Sequence, residues 1–221
     1  MRPASRAAAL QSVGFLAVAG ALLFGTAGRI DLWNFWIFLA ILALVFAISL
    51  TVIDPDLMRE RMRPGGRSAP VALLLAVTVM FIEFGVAGLD RGRWHWSDMV
   101  PAALVIAALV LFALGNLVSL WIMRVNPYFS SVPRIQADRG QRVIDFGPYA
   151  WVRHPGYAAA FMVLPANGLA LGSWIATAIA LLGLPWLVGR TIREDRMLRA
   201  GLEGYEDYAR RVPWRLVPGL W

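Results

Sequence analysis

The sequence predicts an all-α, polytopic membrane protein of about six transmembrane helices, the last two a short helical hairpin, with a polar cytoplasmic region. Three observations predict it. Hydrophobic residues make up 59% of the 221 and charged residues only 16%, a balance too apolar for an ordinary soluble domain. Apolar runs at 10–27, 33–53, 70–89 and 99–123 approach or reach the length of about 20 residues that a bilayer crossing needs. Once these runs span, eighteen of the 21 arginines fall on one side.

The first run follows Arg2 and Arg6 and ends in small residues near Thr26 and Ala27. It also resembles a secretory signal, but an uncleaved helix keeps the even count of spans that collects the arginines. The segment 54–69 carries four arginines, 124–156 five, and the chain beyond 189 seven, while the opposite side holds only Arg29, Arg91 and Arg93. The positive-inside rule then places both termini in the cytoplasm. The absence of lysine hints at a GC-rich, bacterial host, and so at an inner membrane. Topology accounts for the net charge of +7, and no nucleic-acid partner is needed to explain it.

Two shorter runs, 157–172 and 174–189, flank Gly172 and Ser173, which fit a tight turn between antiparallel helices. Glu83 lies within the third run, near its non-cytoplasmic end, where hydration or a helix–helix hydrogen bond explains an intramembrane carboxylate. His95, in the following loop, reads as a surface histidine. With two histidines and no cysteine, a thiolate or histidine-rich metal site is excluded and no metal is expected. The missing lysine removes P-loop and Schiff-base chemistry, and no two glycines are separated by a single residue, so GxGxxG is absent.

The chain divides chemically into N-terminal transmembrane helices, 1–123, and a richer region, 124–221, made of a cytoplasmic connector, the hairpin and a cytoplasmic tail. The connector 124–156 exceeds the two to eight residues usual between packed helices. Its aromatic and aliphatic content, Tyr128, Phe129, Ile135, Val143, Ile144, Phe146, Tyr149 and Trp151 among it, argues for order. In "RHPGY", Pro155 suits the first turn of a helix, so His154 stands at a helix entrance that favours an anionic group. Tyr157, three residues on, shares its side. Taken singly, Arg153 and His154 fit interfacial residues and Tyr157 an aromatic belt; together they point to a site.

The second constellation is "GRTIREDRMLRAGLEGYEDYARRV", residues 189–212. If the last helix continues through it, Arg190 and Glu194 share a face. The hairpin would return Glu194 and Asp195 toward His154, giving a cavity with a basic wall, an acidic wall and an apolar flank.

The blocks "NPYFSSVPRIQ", "GQRVIDFGPYAWVRHPGY", "RED" and "YEDYARRV" together resemble the integral membrane methyltransferases typified by isoprenylcysteine carboxyl methyltransferase, with phospholipid methyltransferases more distant. The resemblance covers roughly residues 126–217. It implies S-adenosylmethionine as cofactor, with Gln136, Gly147, Pro148, Tyr149, His154, Pro155, Tyr157 and Glu194 as cofactor-binding residues. It assigns Arg153 and Glu194 to catalysis, orienting acceptor and cofactor, and leaves Tyr205 and Tyr208 to close the pocket. Three positions depart from the pattern: Ala159 stands for a usual glycine, Asp195 for the second of paired glutamates, and Gln141 for a histidine.

The expected activity is methylation of a lipid-like, membrane-embedded acceptor, carboxylate or amine, at the cytoplasmic membrane face, with membrane lipids as partners. Two other readings stay open on sequence: an NADPH-dependent membrane reductase of sterol-reductase-like architecture, and a non-catalytic membrane protein.

Overall fold

The computed structural model describes residues 3–62, 64 and 69–221, with side chains described from Arg6 and, in the fourth helix, from Leu74. Arg2, Arg63 and Arg67, counted above in the charge asymmetry, lie outside the described residues. Among the described residues all regular structure is helical, without a strand, and coil joins the helices. In order come α1 (Pro3–Ala27), α2 (Trp33–Val52), α3 (Pro55–Met62), α4 (Ala69–Leu89), α5 (Ala102–Val125), α6 (Pro155–Ala170), α7 (Trp174–Leu181), α8 (Gly183–Gly201) and α9 (Tyr205–Arg211).

The second to fifth apolar runs have become helices close to their expected bounds, whereas α1 begins at Pro3, before its run, and the last run is divided between α7 and α8, which continues to Gly201. Among the described residues, four helical stretches are long and apolar enough to cross a membrane: Arg6–Ala27, Trp33–Val52, Ala102–Val125 and Trp174–Gly201, the last comprising α7 and α8. Large apolar side chains on these helices and on α4, such as Leu44, Leu74, Val110 and Leu114, are more than half exposed. Apolar surface of this kind is what lipid solvates. The molecule is an integral membrane protein.

The bundle closes over an aromatic and small-residue core. Phe38 stacks on Phe112 at 4.6 Å, and Ala19, Leu23 and Ala87 are wholly buried where α1 meets α4. Gly88 makes that meeting possible, because a Cβ there would lie 2.0 Å from Thr26 Oγ1 and 2.5 Å from the Leu23 carbonyl. The most extensive helix–helix contact is between α5 and α6. Ala159, almost fully buried, lies beside Gly115, where a side chain would strike Val163; small residues let these two backbones approach.

The hairpin turn forms as its residues require. Gly172 takes a left-handed φ of +74°, a conformation open mainly to glycine. Ser173 caps α7 by accepting the Ala176 N–H. The α7 to α8 break at Leu182 follows from Pro185, which has no N–H to give to the helix. Beyond it α8 runs on to Gly201, so the RED segment is indeed helical.

Three features were not expected. Residues 55–62, read as part of a loop, form the short helix α3. A π-helical turn at Asp90–Trp94 ends α4, and residues 205–211 form α9. Glu83 is only 3% exposed, which removes it from bulk water, and Asn167 of α6 stands beside it. His95 is at the surface as expected, with its ring 2.6 Å from Asp98.

Candidate functional site

The connector, the start of α6 and the middle of α8 converge on a cavity of about 390 Å³. The hairpin returns α8 past the first turn of α6, so that residues far apart in sequence touch. The Tyr157 hydroxyl donates to Glu194 Oε2, and Arg190 Nε donates to the same hydroxyl at 2.8 Å. Arg190 and Glu194, one helical turn apart, therefore meet on Tyr157.

Behind this surface lies a buried hub. Arg153, 3% exposed, grips Asp195 through Nε to Oδ1 at 2.9 Å and Nη2 to Oδ2 at 3.2 Å. Its remaining nitrogen, Nη1, donates to the Val212 carbonyl at 2.8 Å. His154 Nε2 lies 3.1 Å from Asp195 Oδ1, and the Tyr205 hydroxyl donates to the same oxygen at 3.1 Å. Arg199 and Arg215 reach Oδ2 at 3.3 and 3.2 Å. Asp195 thus places a carboxylate of the chain itself beside the entrance of α6. Backbone bonds complete it: the N–H groups of Arg153 and His154 donate to the carbonyls of Trp214 and Arg215, both at 2.9 Å.

The connector forms the opposite wall. Gln136, 1% exposed, donates from Nε2 to the Tyr128 carbonyl at 2.7 Å, while its N–H donates to Gln141 Oε1 at 2.6 Å. Gln141, the departure from a usual histidine, is therefore a staple of the loop. Asn126 Nδ2 donates to the Tyr149 hydroxyl at 2.7 Å, and burial raises the pKa of that phenol, keeping it a neutral donor or acceptor. Tyr208 closes the floor by donating to the Tyr149 carbonyl at 2.7 Å.

Helix α3 clamps the connector from the N-terminal half. Arg134 Nε and Nη2 each donate to a Glu60 oxygen at 3.0 Å, the Ser130 hydroxyl donates to Glu60 Oε1 at 3.0 Å, and Arg134 Nη1 also reaches Asp138 at 2.7 Å. The guanidinium holds the Glu60 carboxyl below its ordinary pKa.

Of the residues singled out in the sequence, Gln136, Tyr149, Arg153, His154, Tyr157 and Glu194 line the cavity. Gly147, Pro148 and Pro155 do not: Gly147 packs against Val125 and Trp121, Pro148 is buried in the turn beneath Tyr149, and Pro155 opens α6. The structure brings Arg153 to Asp195 rather than to Glu194. It adds Arg61, Ser131 and Arg190 to the wall. Arg190 was marked by its spacing from Glu194; nothing local in the sequence marks Arg61, which arrives through α3.

Chemically, among the described residues the cavity holds five arginines and a single carboxylate, Glu194, with an apolar flank from Ala76, Ala160, Trp186 and Leu187. Such a space suits a ligand that is part ionic and part apolar, and its volume lies within the range of about 300–1,000 Å³ of ligand sites. Among the described residues no three His, Asp or Glu side chains gather as metal ligands.

Residues 105–200 match the model of the isoprenylcysteine carboxyl methyltransferase (ICMT) family. The nickel-cobalt-cadmium resistance protein NccN of Alcaligenes xylosoxydans xylosoxydans is 27% identical over 127 residues, 57% of this chain and 55% of that protein. The cobalt-zinc-cadmium resistance protein CzcN of Cupriavidus metallidurans is 26% identical over 142 residues, 63% and 61% of the two chains. The matches therefore span under two thirds of these relatives. Among solved structures, the eukaryotic intramembrane Ras methyltransferase ICMT shares the fold with a TM-score of 0.58 and 18% identity, covering 95% of this chain and 75% of that one.

Proposed function

We propose, from the premise that this chain is an isoprenylcysteine carboxyl methyltransferase-like membrane protein, that it transfers a methyl group from S-adenosylmethionine to a lipidic or membrane-embedded acceptor at the cytoplasmic membrane face. The observation that carries the reading is Glu194, the one carboxylate on the described wall of a basic cavity. It is fixed by the Tyr157 hydroxyl and backed by the Asp195 hub.

The residues fit the cofactor. Glu194 offers a negative group to its cationic part, while Gln136, Tyr149, His154 and Tyr157 form walls with aromatic faces and hydrogen-bonding edges. Gly147, Pro148 and Pro155 shape the backbone that holds them. When bound, S-adenosylmethionine supplies a methyl group on a sulfonium, moved by in-line displacement. The chain's task is then alignment and exclusion of water. Arg190 and Tyr157 hold Glu194 in one orientation. Arg153, turned away to Asp195, is a positioning residue that locks the entrance of α6. A carboxylate acceptor needs no base; an amine acceptor must lose a proton, and Glu194 is the group placed to take it.

In this reading the chain crosses the bilayer six times, with α6 and the α7–α8 pair as the final hairpin and both termini cytoplasmic, as the arginine distribution supports. Residues 124–221 act as the catalytic region, and among the described lining residues only Arg61 and Ala76 come from outside it. The apolar flank lets a lipid acceptor enter from the membrane side while a water-soluble cofactor enters from the cytoplasm.

Titration of the detergent-purified protein with S-adenosylhomocysteine and, separately, NADPH tests this. Binding of S-adenosylhomocysteine that weakens in Glu194→Ala and His154→Ala is expected. Binding of NADPH alone would make the protein a reductase, and binding of neither would make it a non-catalytic membrane protein.

A further inference from the structure

The arginines of the cavity differ in what holds them. Arg134 is paired with Glu60 and Asp138, and Arg153 with Asp195. Arg61 and Arg190 bond neutral oxygens instead. Arg61 Nη1 donates to the Phe129 carbonyl at 3.2 Å, and Arg190 donates to the Ser131 carbonyl at 2.6 Å and to the Tyr157 hydroxyl. Among the described residues neither has a carboxylate within salt-bridge distance.

One short segment holds both cations together. The Ser131 hydroxyl donates to the Arg61 carbonyl at 3.1 Å, and the Arg61 guanidinium lies 5.2 Å from the Phe129 ring. Burial, with the Arg190 charge nearby, pushes the Arg61 guanidinium down to about 10, so it stays cationic at neutral pH. A guanidinium carries five N–H donors, so each arginine keeps donors to spare. Two like charges side by side in a partly buried wall repel each other without a counter-ion.

We infer that Arg61 and Arg190 form an anion subsite that receives the acid group, carboxylate or phosphate, of a ligand lying in this cavity. The inference rests on the reading of the cavity as the ligand site of a membrane methyltransferase. The acid group has two possible sources, the amino-acid carboxylate of the cofactor and the acid headgroup of a lipid acceptor. Trp186, whose ring lies 5.2 Å from the Arg190 guanidinium, begins the apolar flank that would take an acyl chain. Arg61 lies outside residues 105–200, so this subsite joins the N-terminal half to the matched region.

The test uses the full chain in detergent as wild type, Arg61→Gln and Arg61→Lys, with two pairs of probes: S-adenosylhomocysteine against methylthioadenosine, which lacks the amino-acid carboxylate, and a long-chain fatty acid against the alcohol of equal length. The expected result is that Arg61→Gln lowers affinity for the acid member of one pair by about tenfold or more, leaves its uncharged counterpart unchanged, and is largely rescued by Arg61→Lys. The responding pair identifies the source. Equal effects on acid and neutral members, no effect on either pair, or no wild-type binding of either acid probe would overturn the subsite. Loss of both nucleoside probes with the fatty-acid dependence intact would sink the methyltransferase reading and leave the subsite standing. Should Arg61→Gln not fold, wild-type salt dependence decides: affinity falling with ionic strength for the acid and not the alcohol supports the subsite, and equal dependence overturns it.

Discussion

The two ends of the bundle each bury a carboxylate, and they differ in what is left over. At one end Asp90, wholly buried, accepts the Ser97 N–H at 2.7 Å, the Ser97 hydroxyl at 2.6 Å and the Ser173 hydroxyl at 2.5 Å. These bonds tie the π-helical turn to the hairpin turn and adjoin no described cavity. At the other end Asp195 is similarly enclosed, but its neighbour Glu194 faces open space, and two arginines beside it bind only neutral oxygens. Buried polarity alone therefore does not mark a site; polarity with unused capacity, set against a cavity, does.

The largest expected effect comes from opening the saturated hub. Asp195→Ala would leave Arg153, His154, Arg199 and Arg215 around an empty position, and removing one partner of a buried ion network costs about 3–5 kcal/mol. Thermal unfolding in detergent should show a marked fall in melting temperature, together with loss of cofactor binding. A variant as stable as wild type would mean that Asp195 is not the organising group.

Glu194→Gln should do the reverse. It keeps the shape and leaves the hub intact, so stability should change by about 1 kcal/mol or less, while methyl transfer falls about 100-fold. Equal losses of stability and activity would erase the distinction between the neighbouring carboxylates.

Asp90→Asn sharpens the comparison from the far end. It weakens three hydrogen bonds in a buried place, for about 1–3 kcal/mol, and should leave affinity for S-adenosylhomocysteine unchanged. A shifted affinity would couple the two ends.

The smallest effect concerns the α3 clamp. Because Arg134 lowers the Glu60 pKa in the folded protein, the stabilisation from this pair is fully present above the unfolded pKa of Glu60. It is lost as pH falls through the folded one. Glu60→Gln should cost about 1 kcal/mol near neutral pH, and its melting temperature should converge on that of wild type as the medium is acidified through the carboxylate range. A gap independent of pH would deny the ion pair.

The sequence made the helices legible because hydrophobic runs and the Gly172–Ser173 turn are local signals. It also made legible the approach of residues 153–157 to 190–195, because a hairpin admits no other return. Which acid meets Arg153 was not legible: consecutive helical residues point about 100° apart, so the choice between Glu194 and Asp195 depends on the exact phase of α8. The role of α3 was hidden for another reason. Eight residues rich in charge show no apolar period, and Glu60 and Arg61 acquire meaning only from partners about 70 residues away. Gln141, which departs from a usual histidine, serves the loop.

The most direct test of the central claim follows labelled methyl groups from S-adenosylmethionine, with purified protein and a membrane lipid extract, comparing wild type with Glu194→Gln. The account predicts label in the lipid phase with wild type and near-complete loss in the variant, whose folding is intact. Label appearing only in small soluble acceptors, or equally in both proteins, would contradict it.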